Sequence, residues 1–537
     1  MGRLFLASLS HGCYMDDSGS TSHNGGSRRE ALAWSFIGVL IALAVFLRVV
    51  TLEQFPSFIH NDEAAAAVYI SPPFMGTNPD SPMWGFNNYG RHANFGAWLT
   101  SLSVKFFGGP TLWAIRMGSA VCGVLSIVFS VLFIRKWLGF QTAFFFLAAI
   151  VPFHLHVFYS RTGFPYIQAA TFSALVSYLF ARMVKVPSVK NGVLLGVGMG
   201  FALMVYSATL VLPAAVVAGL LALFSSSAIK QPPLSKHVKE AAVWGGALLV
   251  GIMLSMGQHL YHISQIGFSS RLDSQSILHR IPLEQRGGFL SHLDVVWASL
   301  QRTVWFFYYS DSAGQYGYLG RPLEMCSYAL AILGLLALLY RCCRLDPNAI
   351  YVVVIGIATI VGSSLMVEAN FSPHLIVFSL LIPLACAMGA SALCQVVRLK
   401  SLVASGIISV LLLIPWTIWN GAFISSREQR KLNLDTFVLH LPIDRSSIKT
   451  TSNYTPFYGD LRESFYKLQY PNARPIKVEI GDIPQQVAEL DSTQACPCLA
   501  IVTRVTSDAV SQKLTERTRK FTKFQIPRSD ADVFVIE

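Results

Sequence analysis

The stretch GVLLGVGMGFALMVYSATLVLPAAVVAGLLALF, residues 192–224, contains no charged side chain. An α-helix rises about 1.5 Å per residue, so about 20 apolar residues are enough to cross the hydrocarbon core of a membrane. The stretch is therefore too long for a single crossing. Tyr206, Ser207, Thr209 and Pro213 stand near its middle, where polar residues followed by proline favour a helix break. We predict two membrane-spanning helices here, joined by a tight break.

Further apolar runs of similar character occur along the chain, which is 53% hydrophobic and only 13% charged. A soluble domain has about 25% charged residues. Because the membrane interior offers no water to backbone groups, each span must be helical. We predict an α-helical polytopic membrane protein with about eleven transmembrane helices. The other runs are 31–51, 112–134, 141–158, 165–184, 239–258, 324–343, 349–367, 371–397 and 401–423.

Lysine and arginine residues cluster between alternate predicted spans. With eleven spans, every cluster falls on one side of the membrane, and the positive-inside rule identifies that side as cytoplasmic. If 192–224 crossed only once, the later clusters would change sides, so the charges independently support two helices there. The net charge of +12 is thus an orientation signal and requires no nucleic-acid partner. The clusters are Arg28 and Arg29; Arg135 and Lys136; Arg182, Lys185 and Lys190; Lys230, Lys236 and Lys239; Arg341 and Arg344; and Arg398 and Lys400.

The chain divides into three parts by composition. Residues 1–30, with the polar stretch DDSGSTSHNGGSRRE, predict a disordered cytoplasmic N-terminus. Residues 31–425 form the predicted membrane domain, with long outer loops over 52–111 and 259–323. Residues 426–537 predict a small soluble α/β domain on the outer, extracytoplasmic side. In that tail, strand-like segments such as CLAIVTRV and DVFVIE alternate with helical candidates such as AVSQKLTERTRKF.

The first outer loop carries the segment IHNDEAAAAVY, in which Asp62 and Glu63 stand side by side. Asn61 or Asp62 can cap the helix that the alanines predict, and the helix N-terminus stabilises carboxylates. Successive helical residues point about 100° apart, so the two carboxylates cannot aim at one atom. One of them is instead a candidate reacting group. Later in the loop, Tyr89, Arg91 and His92 suit contacts to carbohydrate and equally suit packing at the membrane interface.

Three cationic side chains lie at the outer ends of other predicted spans. Arg116 lies about one turn into the second span, Arg161 lies in the turn FYSRTGFPY, and His374 lies in FSPHLIVF. Each alone has an ordinary interpretation as an interfacial residue, but together with the acidic pair they indicate a site. A carboxylate can deprotonate an attacking hydroxyl, and the cations can stabilise charge on a departing phosphate. Transfer of a sugar from a lipid phosphate needs this combination.

Five segments, taken in chain order over residues 35–397, resemble the integral-membrane GT-C glycosyltransferases that use polyprenyl-phosphate sugars. They are HNDEAAAAVY, FFGGPTLWAIRMGSAVCGVLSI with Arg116, FYSRTGFPY, GVGMGFALMVYSATLVLP and FSPHLIVF. The resemblance is to family 39-like enzymes, which are kin to protein O-mannosyltransferases and lipid A aminoarabinose transferases. It implies a GT-C fold with Asp62 as catalytic base and Glu63 as its neighbour in the site. It further implies contacts from Arg116, Arg161 and His374 to the carrier phosphate, and contacts from the first loop to sugar or acceptor.

The resemblance implies an inverting glycosyltransferase at the outer face of a bacterial inner, or plasma, membrane. Its donor would be a polyprenyl-phosphate sugar, and its acceptor a protein, lipid or glycan hydroxyl. Many relatives carry a second acidic residue after the third span, and SRTGFPY has none. We therefore predict transfer without a metal or other cofactor.

Two alternatives stay open at this stage. The first is a transporter or flippase for a lipid-linked glycan intermediate, and the second is a non-catalytic subunit of an envelope-assembly complex. A transport pathway requires ionisable residues deep within the spans. The central thirds of these runs are nearly free of charge, which counts against the first alternative.

Overall fold

The computed structural model describes most of the membrane domain and parts of the tail. The described residues are 25–53, 63, 95–109, 111–163, 165–230, 234–266, 289–307, 325–366, 374–396, 450–453, 474–475, 498–517, 520–525 and 531–536. Asp62, Tyr89, Arg91 and His92, the predicted span over 401–423 and the N-terminal segment before Gly25 lie outside them. The predictions made for those residues stay predictions.

The described part of the chain up to residue 396 is helical, apart from short turns. In chain order the first seven helices are α1 Gly25–Val49, α2 Phe95–Phe106, α3 Leu112–Leu138, α4 Phe140–Ile150, α5 His154–Ser160, α6 Tyr166–Lys185 and α7 Val189–Leu203. The next six are α8 Leu212–Lys230, α9 Leu234–Ile266, α10 Phe289–Trp305, α11 Met325–Cys343, α12 Pro347–Ser364 and α13 Phe378–Val396.

This is a multi-pass membrane protein. Six helices of the described residues are long and apolar enough to cross a membrane, and a seventh span results if the bent pair α4 and α5 counts as one. Shorter apolar helices lie over Ser35–Val49, Val189–Leu203 and Ser327–Cys343. The prediction of a polytopic helical protein is confirmed, while the count of about eleven spans stays a prediction.

The long apolar run over 192–224 is broken where its polar residues stand. Helix α7 ends at Leu203, a short 3₁₀ turn covers Ser207–Val211, and α8 follows directly. The hydroxyl Oγ1 of Thr209 lies 2.6 Å from the carbonyl oxygen of Ala202 and 2.7 Å from that of Tyr206. A threonine hydroxyl can thus bond a carbonyl that the interrupted helix leaves open. The two-helix interpretation of this run therefore has a local physical cause.

The run over 141–158, which we predicted as one span, is bent by 67° between α4 and α5. The bend falls at Pro152, whose ring nitrogen carries no hydrogen and cannot continue the helical hydrogen bonding. The amide of Phe153 bonds the carbonyl of Ile150 at 3.2 Å and closes the turn. Proline inside an apolar run was the signal for this break, and one membrane span over this run stays a prediction.

The spans pack closely where small residues face each other. A methyl group added to Gly196 of α7 would overlap the backbone oxygen of Leu248 in α9, and one added to Gly251 would overlap that of Val193. Glycine at these two positions lets the helix backbones touch, as small residues do in membrane bundles.

The basic ends of several helices meet at one end of the bundle. Lys136 at the end of α3 interacts electrostatically with Lys185 and Arg182 at the end of α6. On α12, the N-cap residue Asp346 accepts hydrogen bonds from Trp137 Nε1 at 2.9 Å and from Arg341 Nη1 at 3.1 Å. Clusters that the sequence placed on one side of the membrane are thus neighbours in space.

The tail contains a five-stranded mixed sheet. Its strands are β1 Thr450–Asn453, β2 Arg474–Pro475, β3 Cys498–Thr503, β4 Phe521–Gln525 and β5 Ala531–Ile536, and helix α14 Arg504–Glu516 follows β3. The strand order is β2-β1-β3-β5-β4. β1 runs parallel to β2 and β3, and β5 runs antiparallel to β3 and β4.

The tail differs from its prediction at two boundaries. Arg504 and Val505, which we predicted at the end of a strand, begin the helix instead, because the pairing of β3 with β5 ends at Thr503 opposite Ala531. The predicted helical segment AVSQKLTERTRKF reaches Phe521, whereas the helix ends at Glu516 and Phe521 begins β4. The extracytoplasmic position of this tail stays a prediction.

Candidate active site

Glu63 is held by three hydrogen bonds at the end of the bundle opposite the basic cluster. Arg116 donates from Nε to Oε1 at 2.7 Å and from Nη2 to Oε2 at 3.1 Å, a bidentate pair. The backbone N–H of Gly163 donates to Oε1 at 2.7 Å. Glu63 is only 1% exposed. Its carboxylate therefore ties the first outer loop both to α3 and to the turn after α5.

Arg116 lies in the second turn of α3 and is completely buried. The helix begins at Leu112 because the hydroxyl of Thr111 accepts a hydrogen bond from the amide of Ala114 at 3.1 Å. Besides its fork to Glu63, Arg116 donates from Nη1 to the carbonyl of Leu52 at 3.0 Å. These contacts favour an anchoring role for Arg116 over direct contact with a phosphate.

Arg161 lies in the turn after α5 and is 4% exposed. Its Nη1 donates to the carbonyl of Leu47 at 2.8 Å and its Nη2 to that of Thr51 at 3.0 Å, so it caps the C-terminal end of α1. Burial, and secondly the charge of Arg116, lower the pKa of Arg161 to about 10. The side chain therefore stays protonated at neutral pH.

A third arginine, Arg48, belongs to the same region and was not among the predicted site residues. It is completely buried near the end of α1 and interacts electrostatically with Arg161, which in turn interacts with Arg116. The signal for it was a single ionisable residue inside an apolar run, a feature that by itself indicates a functional site. Three like charges in one buried region create a positive potential that favours a nearby anion.

His374 is linked to this region through a row of aromatic rings. Its ring lies 6.4 Å from that of Tyr206, with an angle of 24° between the planes. Tyr206 contacts Tyr166 edge-on at 4.8 Å, and Tyr166 contacts Tyr159 at 5.8 Å. Tyr159 stands two residues before Arg161. His374 is half-buried at the start of the segment that leads into α13, so one side of it faces the surroundings.

An apolar cleft of about 760 Å³ lies between α10 and the start of α11. One of its walls, Phe307, packs edge-on against Phe378 at 4.8 Å, and Phe378 stands four positions after His374 in the sequence. The side chains of α10 that line the cleft include Trp297 and Trp305, which are more than half exposed. The lining residues are Trp297, Leu300, Gln301, Val304, Trp305, Phe307 and Tyr328.

Among the described residues, no group of three or more His, Cys, Asp or Glu side chains could hold a metal ion. Asp62 and His92 lie outside that part of the chain, so metal independence stays a prediction. Asp62 precedes the anchored Glu63 in the sequence, and its role as the base stays a prediction.

Residues 91–256 match the family model described as dolichyl-phosphate-mannose-protein mannosyltransferase. The matched segment covers less than a third of the chain and includes both Arg116 and Arg161. The predicted resemblance to membrane glycosyltransferases is confirmed. The match also confirms the prediction that this protein is an enzyme of the glycosyltransferase class.

Two solved structures align with this glycosyltransferase over nearly its whole length. The crystal structure of ArnT from Cupriavidus metallidurans bound to undecaprenyl phosphate has 13% identity and a TM-score of 0.49, covering 94% of this chain and 98% of that one. Archaeal oligosaccharyltransferase AglB from Archaeoglobus fulgidus, in complex with an inhibitory peptide and a dolichol-phosphate, has 12% identity and a TM-score of 0.48. The latter alignment covers 95% of this chain and 74% of that one. No curated protein matches the chain.

Proposed function

We propose that this protein is an inverting glycosyltransferase that moves a sugar from a polyprenyl-phosphate carrier to an acceptor hydroxyl. The observation that carries the proposal is the tethering of Glu63 by Arg116 and Gly163. Asp62 precedes Glu63 in the sequence, and the Arg116 that binds Glu63 interacts electrostatically with Arg161, which interacts with Arg48. The family match, which spans Arg116 and Arg161, gives independent support.

Asp62 acts as general base in this proposal. It takes the proton from the acceptor hydroxyl as the oxygen attacks the anomeric carbon of the sugar. The attack comes from the face opposite the phosphate, so the bond from carbon to phosphate oxygen breaks as the new bond forms. A single displacement of this kind inverts the configuration at the anomeric carbon. The leaving phosphate keeps the bonding electrons and needs no proton.

The cations stabilise the charge that develops on the leaving phosphate. A phosphodiester with one negative charge becomes a monoester with up to two, and a preorganised positive potential favours that change. Arg161 and Arg116 act through their charge, because their donors are engaged by backbone carbonyls and Glu63. His374 contacts the phosphate in this proposal, and the isoprenoid chain lies in the apolar cleft. Tyr89, Arg91 and His92 contact the sugar or acceptor.

We place this site at the outer face of the plasma membrane, with the N-terminus in the cytoplasm. Arg116 and Arg135 stand at opposite ends of α3, 19 positions apart in the sequence. That separation is about 29 Å along a helix, close to the thickness of the hydrocarbon core. The positive-inside rule assigns the end with Arg135 and Lys136 to the cytoplasm, so the Glu63 end faces outward.

The decisive test is the variant Asp62→Asn. Loss of a general base lowers the rate by about 10²–10⁴-fold, while the folded state is retained. The measurement is release of polyprenyl phosphate from a panel of radiolabelled polyprenyl-phosphate sugars by purified protein in lipid nanodiscs. Asp294→Asn on the exposed surface of α10 is the matched control and keeps wild-type activity. Wild-type turnover by Asp62→Asn contradicts the assignment of the base.

Metal independence has its own test. We expect full transfer by the wild-type protein after treatment with EDTA, because a carboxylate and cationic side chains supply the base and the charge stabilisation. Loss of transfer that magnesium or manganese restores contradicts this part of the proposal.

A further inference from the structure

Arg48 carries a charge into the protein interior in the last turn of the apolar helix α1, where burial of a charge is costly. It is the one ionisable side chain in the apolar segment Ser35–Val49 and is completely buried. Its partners are uncharged: the carbonyls of Ala44 at 3.0 Å, Val151 at 3.3 Å and Ile150 at 3.5 Å, and Nδ1 of His156 at 2.8 Å. Nη1 and Nη2 each reach two acceptors, whereas Nε has no hydrogen-bond partner among the described residues. The four bonds offset part of the cost of burying the charge.

The acceptors on Arg48 belong to the bend between α4 and α5. Helix α4 ends at Ile150, and its last carbonyls have no helical partner beyond Pro152. Arg48 donates to the carbonyls of Ile150 and Val151 at this break, and the carbonyl of Ile150 also accepts from the amide of Phe153. The guanidinium fork can reach several acceptors at once, which a lysine ammonium on its flexible stem does less well.

Arg161 makes the reciprocal contact. It stands at the far end of α5 and donates to the carbonyls of Leu47 and Thr51 at the end of α1. One arginine therefore reaches from α1 to the start of α5, and the other reaches from the end of α5 back to α1. We call this arrangement of Arg48 and Arg161 the double latch.

His156 of α5 connects Arg48 of the double latch to helix α3. A guanidinium nitrogen can only donate, so Nδ1 of His156 must accept and the ring proton must be on Nε2. Nε2 lies 2.7 Å from the hydroxyl of Ser126 on α3, which itself donates to the carbonyl of Gly123 at 2.7 Å. The network thus joins α1, α5 and α3 through groups of defined donor and acceptor roles.

Space at this junction is provided by Gly123. A methyl group at that position would overlap the hydroxyl of Ser160 and stand 3.4 Å from Cδ of Arg48. The backbone of α3 therefore approaches the latch as closely as a residue without a side chain permits.

We propose that Arg48 is a positioning residue. By holding α5 against α1, it fixes the turn 161–163, whose Gly163 amide binds Glu63 of the predicted acidic pair. The effect of Arg48 on transfer rests on the proposed function, whereas its effect on the turn does not.

The test measures hydrogen–deuterium exchange of the protein in lipid nanodiscs. In Arg48→Met, amides over residues 153–163 exchange about tenfold faster or more, since their local opening loses hydrogen bonds to a charged group. Amides of α6 and α7, which the latch does not touch, keep their wild-type rates. Arg48→Lys restores part of the protection. Unchanged exchange over 153–163, or equal acceleration throughout the protein, overturns the proposal.

Two milder variants serve if Arg48→Met fails to insert. Ser126→Ala removes the acceptor of the His156 Nε2 proton, and Gly123→Ala presses on Ser160 and Arg48 without removing a charge. Both accelerate exchange over 153–163, and unchanged exchange in both overturns the proposal. Where transfer is measurable, Arg48→Lys lowers kcat about tenfold with little change in KM for the donor, because the base is displaced and the donor contacts remain. Accelerated exchange in a protein without transfer activity supports the latch and contradicts the proposed function.

Discussion

The two ends of α3 carry arginine and lysine in opposite surroundings. At its C-terminal end, Arg135 and Lys136 are exposed. At its N-terminal end, Arg116 is completely buried and bound by Glu63 and a carbonyl. The same residue types therefore differ in their surroundings: the charges at the C-terminal end are exposed, and Arg116 binds Glu63 and the carbonyl of Leu52. Burial, and not the number of charges, distinguishes the end that carries the candidate site.

The largest expected effect comes from breaking the buried ion pair. Arg116→Met leaves the Glu63 carboxylate buried with the Gly163 amide, and removing one partner of such a pair costs about 3–5 kcal/mol. Arg135→Met at the exposed end changes the free energy of unfolding by less than about 0.5 kcal/mol. Unfolding by SDS titration in mixed micelles measures both variants.

The double variant Arg116→Met with Glu63→Leu sharpens this comparison. Replacing both charged partners by apolar side chains removes the uncompensated charge, so the double variant is more stable than Arg116→Met alone. If Arg116→Met and Arg135→Met lower the free energy of unfolding by equal amounts, the two ends of α3 do not differ in the way described.

A smaller effect is expected at Gly163, on the same end of the bundle. A methyl group there would stand 2.5 Å from Cγ2 of Ile115 and 2.9 Å from Cγ of Glu63, closer than real contacts allow. Gly163→Ala therefore costs about 1–3 kcal/mol of stability. It also displaces the amide that binds Glu63. The rate of sugar transfer therefore falls by more than the loss of folded protein alone would cause.

Gly362→Ala in α12 is the matched control for Gly163→Ala. Nothing lies within 4 Å of a methyl group at Gly362, and alanine favours a helix over glycine by about 1 kcal/mol. Gly362→Ala is thus neutral or stabilising in the same SDS titration. A Gly163→Ala protein as stable and active as wild type contradicts the close packing of the turn on Glu63.

The sequence predicted the features that depend on local chemistry. Apolar runs of span length predicted the helices, and polar residues before Pro213 predicted the break between α7 and α8, because both signals act within a few residues. Pro152 carried a signal of the same kind, and its bend was missed because the run was judged by its length and apolar composition alone.

The site was predicted in its composition and not in its contacts. The acidic pair and the cations were identified, yet which side chain would bind which depended on helix packing between distant segments. Arg116 and Glu63 are 53 positions apart, and Arg48 and His156 are 108 positions apart. No spacing rule connects such residues. The interior placement of Arg48 was nevertheless visible as a lone charge in an apolar run, and that signal pointed to the double latch.

The smallest expected effect lies at the exposed end. Lys136 interacts electrostatically with Lys185 and Arg182, so Lys136→Gln relieves repulsion between like charges. Exposed charges are screened by water and salt, and the gain stays below about 0.5 kcal/mol. The SDS titration is repeated at low and high sodium chloride, where the difference from wild type shrinks as salt rises. A loss as large as that of Arg116→Met, or one insensitive to salt, contradicts the solvated character of this end. The two ends of α3 then differ because water reaches Arg135 and Lys136 but does not reach Arg116.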